Sequence, residues 1–240
     1  MNIALILSGG TGVRMGLDIP KQYIEVCGRT IISYCMESIA CHGGVDAIQI
    51  VAEEDWRELI LDSMEQLSID KGSGILKKFK GFSKPGANRQ LSILSGLEDI
   101  RRYADDSSYV LIHDAARPML SAQQISDCLD AVKGNDGVIP VLPMKDTVYS
   151  SEDGRTITSL LNRSQIFAGQ APELFVLGKY YEANRTLLPD RILQINGSTE
   201  PAVMAGMDIA MIPGDEGNFK ITTRADLERF REIVGEGSLQ

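Results

Sequence analysis

Short apolar runs alternate with amphipathic stretches along almost the whole chain, and this alternation limits the available folds more than any other feature. Ile3–Leu7, Ala47–Ala52, Tyr109–Ile112 and Gly137–Leu142 are rich in β-branched and aliphatic residues and read as strands buried on both faces. Ile75–Phe79 is a weaker strand candidate. Two of the intervening helical patterns carry start signals. Ser121 with Gln124 makes a capping box ahead of Ile125, Cys128, Leu129 and Val132 on one face. Thr223 with Asp226 opens a second helix, with Leu227, Phe230, Ile233 and Val234 facing inward. Alternating strands and helices imply right-handed crossovers. The expected fold class is therefore α/β, a doubly wound, mostly parallel sheet, over one domain spanning residues 1–240 and ending in a frayed tail at Gly235–Gln240.

One segment breaks the rhythm. Met144–Val148 and Thr156–Leu161 flank Ser150-Ser151-Glu152-Asp153-Gly154, which predicts a β-hairpin arm over about residues 144–162, turning at Asp-Gly. Such an arm folds over a site, reaches a second subunit or is a plain surface excursion.

Composition excludes several function classes. A net charge of −9 and 6% aromatics argue against a nucleic-acid binder or an anionic-membrane binder. An anion must then be held by a local group of cations and backbone donors. Cys27, Cys35, Cys41 and Cys128 contain no CxxC pair and the two histidines are far apart, which suits reduced thiols in a cytoplasmic protein better than zinc. The apolar start lacks a basic flank and is too short for a signal peptide or a membrane span.

Directly after the first strand stands Ser8-Gly9-Gly10-Thr11-Gly12-Val13-Arg14-Met15-Gly16. In an open α/β sheet, ligands bind beyond the carboxyl ends of the strands, and glycines let backbone N–H groups approach a polyphosphate there. The Gly-Lys-Ser/Thr end of a P-loop is absent, and the spacing from Gly10 and Gly12 to Gly16 misses the dinucleotide fingerprint by one residue. A nucleotidyltransferase-type loop remains, with a plain glycine turn that holds no ligand as the alternative. Arg14 and Pro20-Lys21-Gln22 flank it with cations, as a triphosphate held for attack requires. Asp114 closes a predicted strand at the same edge, whereas His113 reads as a structural hydrogen-bonding residue. Cys27 and Cys35 read as core thiols, Met204–Met211 as packing around Ala205 and Gly206, and Lys77, Lys78 and Lys80 as the solvated side of an edge strand.

These motifs, with Arg89-Gln90-Leu91-Ser92, His113-Asp114-Ala115-Ala116-Arg117-Pro118, Lys145-Asp146-Thr147, Asn162-Arg163-Ser164, Gln170-Ala171-Pro172 and Asn218-Phe219-Lys220-Ile221-Thr222, resemble the 2-C-methyl-D-erythritol 4-phosphate cytidylyltransferase family. Ribitol-5-phosphate cytidylyltransferases share most of them. The resemblance implies a Rossmann-like nucleotidyltransferase that transfers CMP from CTP to a small polyol phosphate with release of pyrophosphate. It implies catalytic roles for Arg14, Lys21 and Lys220, and nucleotide contacts at Ser8, Gly9, Gly10, Thr11, Gly12, Gly86, Ala87 and Ser92. It implies acceptor contacts at Asp114, Arg117, Thr147 and Arg163, with Mg2+ steadied by Asp114 and a homodimer formed through the arm. The acceptor implied first is 2-C-methyl-D-erythritol 4-phosphate, for isoprenoid precursors; the alternatives are ribitol 5-phosphate, for cell-wall or capsular polymers, and a silent nucleotide-binding module. The chain departs from the family pattern at Pro85, Leu91, Ala171 and Gly197-Ser198-Thr199, mainly around the acceptor and base pockets.

Overall fold

The computed structural model describes residues 1–10 and 19–237. The strands are β1 (Asn2–Leu7), β2 (Glu25–Val26), β3 (Arg29–Thr30), β4 (Ala47–Val51), β5 (Phe79–Ser83), β6 (Tyr109–Asp114), β7 (Gly137–Pro143), β8 (Tyr149–Ser150), β9 (Ser159–Leu160), β10 (Phe167–Gly169), β11 (Glu173–Val176) and β12 (Ile209–Pro213). The main sheet runs β10-β7-β11-β6-β1-β4-β5, with β12 paired to β7. β1 pairs parallel with β4 and β6, β4 with β5, and β7 with β12. β10 and β11 run against their neighbours, so the sheet is mixed but mostly parallel, as expected.

The helices are α1 (Ile31–Cys41), α2 (Arg57–Lys71), α3 (Gly74–Lys78), α4 (Arg89–Ile100), α5 (Ala122–Ala131), α6 (Leu177–Arg185), α7 (Glu200–Met204) and α8 (Arg224–Gly237). Period-two alternation along the strands divides the core into two layers. Ala4 and Ile6 of β1 join Ile48 and Ile50 of β4 against α1, α2 and α5, through Ile32, Met36, Met64 and Ile125. Ile3 and Leu5 join Val110 and Ile112 of β6 on the opposite face, against Ile93 and Leu97 of α4 and Tyr180 of α6. Both faces of the central strands are thus covered, which is why these segments read as continuous apolar runs.

Local chemistry sets the helix starts. Asn88 accepts from Leu91 N at 2.8 Å and opens α4. Ser121 accepts from Gln124 N at 3.1 Å, but the Gln124 amide reaches Pro213 O instead, so only half of that capping box forms. At α8 the box is reciprocal: Thr223 Oγ1 accepts from Asp226 N, and Asp226 Oδ2 accepts from Thr223 N at 2.7 Å.

Several expectations need correction. Gly74–Lys78 is helical and the strand begins at Phe79, because Gly72, at φ +118°, ends α2 and the chain re-enters a helix before extending. Lys78 is no bystander: its Nζ donates to Ala40 O and His42 O, both at 2.8 Å, and satisfies carbonyls at the end of α1. The hairpin is present with Gly154 at φ +68°, but its ladder is confined to β8 and β9, and Met144–Val148 is not a strand. Ile233 is exposed, and α8 continues through Gly237 where a frayed tail was expected from Gly235. Cys27 is exposed at φ 51° in the tight turn between β2 and β3, so only Cys35 and Cys128 are core thiols. Met204 and Met211 are exposed and do not pack around Ala205 and Gly206.

Candidate active site

Strand register brings the functional segments to one rim. Leu7, the last residue of β1, is level with Asp114, the last of β6, and with Val51 of β4, which is level with Ser83 of β5. Ser8-Gly9-Gly10, the turn into α4 and the Asp114–Pro118 loop therefore leave the sheet side by side. β11 runs in the opposite direction, so its first residue, Glu173, pairs with Ile112 near that rim.

The glycine-rich loop is packed against the turn that enters α4. A side-chain carbon at Gly9 would lie 2.7 Å from two ring atoms of Pro85, so only glycine fits this approach. At Gly86 it would lie 2.4 Å from Leu91 Cβ and 2.7 Å from the Leu91 backbone. Gly86 N donates to Ser92 Oγ at 3.0 Å, and that hydroxyl donates to Asn88 O. Ser92 is buried and shapes the turn, whereas Gly86 and Ala87 are exposed on the rim. Thr11, Gly12 and Arg14 lie outside the described residues. Lys21 begins a short 3-10 turn, Lys21–Tyr23, whose Gln22 and Tyr23 side chains reach back to Ser8 and Gly10.

Asp114 is the electrostatic centre. Arg89 donates to its Oδ1 through Nε at 3.2 Å and Nη2 at 3.0 Å, and Lys220 Nζ donates to Oδ2 at 2.9 Å. Arg117 Nε stands 3.8 Å from Oδ2. Burial pulls the Asp114 carboxyl up, but the charge of Arg89, followed by Lys220 and Arg117, overrides it and holds the group far below the usual carboxylate range. Three cations thus surround one firmly ionised carboxylate, a net positive cluster on a chain whose net charge is −9.

The segment carrying Lys220 is laced to the same loop. Arg117 Nη1 donates to Asn218 O at 2.7 Å, Asn218 Nδ2 to Ala171 O at 2.8 Å, and Ile221 N to Ala116 O at 2.9 Å. His113 is fully buried, and its Nε2–H donates to Arg117 O at 3.0 Å, the structural role expected of it. Burial pushes its pKa down to about 4, so it is neutral at physiological pH.

The structure brings Asp114, Arg117 and Lys220 together, with the Ser8–Gly10 and Gly86–Ala87 backbone on the same rim. Thr147 and Arg163 lie by the hairpin; Arg163 Nη1 donates to Lys145 O at 2.6 Å, and neither residue is bonded to the Asp114 cluster. Two charged residues escaped the sequence reading. Arg89 was visible only as part of a motif, although a cation one residue past the Asn88 cap, beside the crevice, is a usable signal. Glu173 is buried, accepts from Ser198 Oγ and Thr199 Oγ1, and has its pKa raised by desolvation against the opposing pull of Arg89.

Among the described residues, no three His, Cys, Asp or Glu side chains are grouped to hold a metal. Asp114 alone would suit a magnesium ion carried in on phosphate oxygens, since one carboxylate plus substrate oxygens is a usual shell; Arg89 fills Oδ1, whereas Oδ2 accepts one hydrogen bond, from Lys220, and keeps a lone pair. No described helix is long and apolar enough to cross a membrane.

The sequence model of the family described as 2-C-methyl-D-erythritol 4-phosphate cytidylyltransferase matches residues 2–236. The chain is 30% identical to the ribitol-5-phosphate cytidylyltransferase of Streptococcus pneumoniae serotype 2 (strain D39 / NCTC 7466), over 98% of this chain and 99% of that one. It is 29% identical to the 2-C-methyl-D-erythritol 4-phosphate cytidylyltransferase of Thermotoga neapolitana, over 98% of both. It is 34% identical to the bifunctional enzyme IspD/IspF of Granulibacter bethesdensis, of which it spans 56%. Among solved structures, the 4-diphosphocytidyl-2C-methyl-D-erythritol synthase of Anaerococcus prevotii superposes with a TM-score of 0.80 at 23% identity, covering 98% of this chain and 96% of that one, and supports the fold.

Proposed function

Because the chain belongs to the 2-C-methyl-D-erythritol 4-phosphate cytidylyltransferase family, whose members are CTP-dependent cytidylyltransferases, we propose that it moves CMP from CTP onto 2-C-methyl-D-erythritol 4-phosphate at the rim formed by β1, β5 and β6. The carrying observation is the group of Arg89, Arg117 and Lys220 around Asp114, beside a loop whose Gly9 has no room for a side chain.

An oxygen of the acceptor phosphate attacks the α-phosphorus of CTP, the new P–O bond forms, and the bond to pyrophosphate breaks. A phosphate monoester is already anionic at neutral pH, so no general base is needed, consistent with a neutral, hydrogen-bonded His113. The barrier is repulsion between two anions. Lys220, Lys21 and Arg14 offset it and stabilise charge on the five-coordinate phosphorus, while Ser8–Gly12, Gly86, Ala87 and Ser92 seat the nucleotide. Asp114 and Arg117 orient the acceptor. Magnesium, when bound, supplies further neutralisation of the phosphates, with Asp114 as its protein ligand.

Tyr149, Ile157 and Leu160 are exposed on the hairpin, a concentration of apolar surface that supports a homodimer in which Thr147 and Arg163 reach the partner's acceptor phosphate. The reading places the enzyme in the cytoplasm, where Cys35 and Cys128 stay reduced. A second acceptor, ribitol 5-phosphate, is favoured by one observation: a relative carrying that name matches end to end at 30% identity. Pyrophosphate release with CTP and each acceptor separates the two. Faster turnover with ribitol 5-phosphate would replace the first acceptor, and no release with either would overturn the reading.

A further inference from the structure

The short turn that carries Lys21 also carries a clamp on the glycine-rich loop. Gln22 is buried, and the two hydrogens of its amide are spent on one partner each: Nε2 donates to Ser8 O and to Gly10 O, both at 2.8 Å. Tyr23 OH accepts from Ser8 Oγ at 2.8 Å and donates to Ser8 O at 2.9 Å, so the Ser8 carbonyl is saturated. Ser8 N is engaged by Val51 O at 2.8 Å. The Tyr23 ring stacks on Trp56 at 4.4 Å and 15°, which fixes the turn against the entry to α2.

In a trans peptide the carbonyl and the following N–H point in opposite directions. Drawing Ser8 O toward Gln22 therefore turns Gly9 N–H to the other side of the loop. A carbonyl oxygen carries partial negative charge and repels phosphate, so a loop that binds a triphosphate must present amides and hide carbonyls. We propose that Gln22 is a positioning residue for the nucleotide: its amide draws two loop carbonyls to the protein side and leaves the N–H face of the loop to the triphosphate. This rests on the reading that the loop holds CTP. It adds a residue that touches no substrate and ties loop polarity to the turn holding Lys21.

The test uses the full-length enzyme, with CTP and the acceptor that wild type turns over. Gln22→Met keeps the side-chain length and removes both donors. It should raise the KM for CTP about tenfold or more, the scale of leaving buried acceptors unpaired, and change the acceptor KM by less than about twofold. Gln22→Glu, which places carboxylate oxygens against two carbonyls, should do more damage than Met. Trp56, the chain's one tryptophan, reports through its emission whether Tyr23 remains docked in each variant. The proposal is overturned by an unchanged CTP KM in Gln22→Met, or by equal rises in both KM values. It is also overturned if both variants lose cooperative unfolding, since Gln22 would then serve the fold alone. If wild type itself releases no pyrophosphate from CTP, the functional reading fails first and this inference falls with it.

Discussion

Lys220 Nζ lies 2.9 Å from Asp114 Oδ2, although the two residues are 106 positions apart in the chain. The pairing depends on Ile221 N reaching Ala116 O, which fixes the approach to α8 beside the loop after β6. Arg89 occupies the other carboxylate oxygen from a third segment, the start of α4. Asp114 is therefore the counter-ion that gathers these cations from separate segments of the chain.

If Lys220 supplies transition-state charge, Lys220→Met should lower kcat/KM by about 10²–10³, as loss of one well-placed donor does. Asp114 keeps Arg89 in that variant, so cooperative unfolding should persist. Pyrophosphate release measures the effect, and near-normal turnover would remove Lys220 from the mechanism.

Asp114 also contributes to stability in a definite pH window. Its folded pKa lies below its unfolded value of 3.8, so its contribution is full above that value and is lost as pH falls toward the folded pKa. Asp114→Asn strands the buried charges and should cost about 3 kcal/mol or more at pH 7. In urea unfolding, the gap between wild type and variant should stay constant above about pH 5 and narrow below about pH 4. A gap that widens in acid would contradict the assignment.

His113 gives a different window. Its folded pKa, about 4, is below the unfolded 6.5, so the native state resists protonation and its contribution falls as pH drops from 6.5 to about 4. That loss amounts to about 2 kcal/mol by pH 5. His113→Gln retains an Nε2 donor able to reach Arg117 O and should lose this slope while keeping most neutral-pH stability. An identical slope in the variant would place the titration elsewhere.

The parts of the molecule governed by local periodicity were legible in the sequence. The apolar runs of β1 and β6, the strand-ending Asp114 and the hairpin turn at Gly154 follow from side-chain character and turn chemistry. The approximate fold of the rim followed because ligands in such sheets meet strand ends. Long-range choices were not legible. Nothing local at Gln124 says that its amide prefers Pro213 O to its own helix cap, and nothing at Arg89 or Glu173 says that strand register will set them beside Asp114. The antiparallel run of β11 was missed for the same reason, since strand direction is decided by the connections.

The two neighbouring glycines make a controlled pair. Gly9→Ala would place a carbon 2.7 Å from Pro85, whereas a carbon at Gly10 meets nothing within 4 Å among the described residues. Gly9→Ala should therefore destabilise by about 1–3 kcal/mol and raise the CTP KM, with Gly10→Ala close to wild type in stability. Thermal unfolding with CTP titration checks both, and equal behaviour of the two variants would show that the Pro85 contact is not limiting.

The arm offers the last test. Tyr149 and Leu160 face each other across the β8–β9 ladder and both are exposed, where the proposed homodimer would cover them. Sedimentation of wild type at micromolar concentration should show a dimer, and Leu160→Glu should shift it toward monomer by burying a charge without a partner. Because Thr147 and Arg163 sit at the base of that hairpin, dissociation should raise the acceptor KM while leaving the CTP KM within about twofold. Arg163→Ala should reproduce the acceptor defect in a protein that remains dimeric. A monomeric Leu160→Glu variant with an unchanged acceptor KM would show that each protomer completes its own acceptor site, and the arm would then be an interface without a catalytic part.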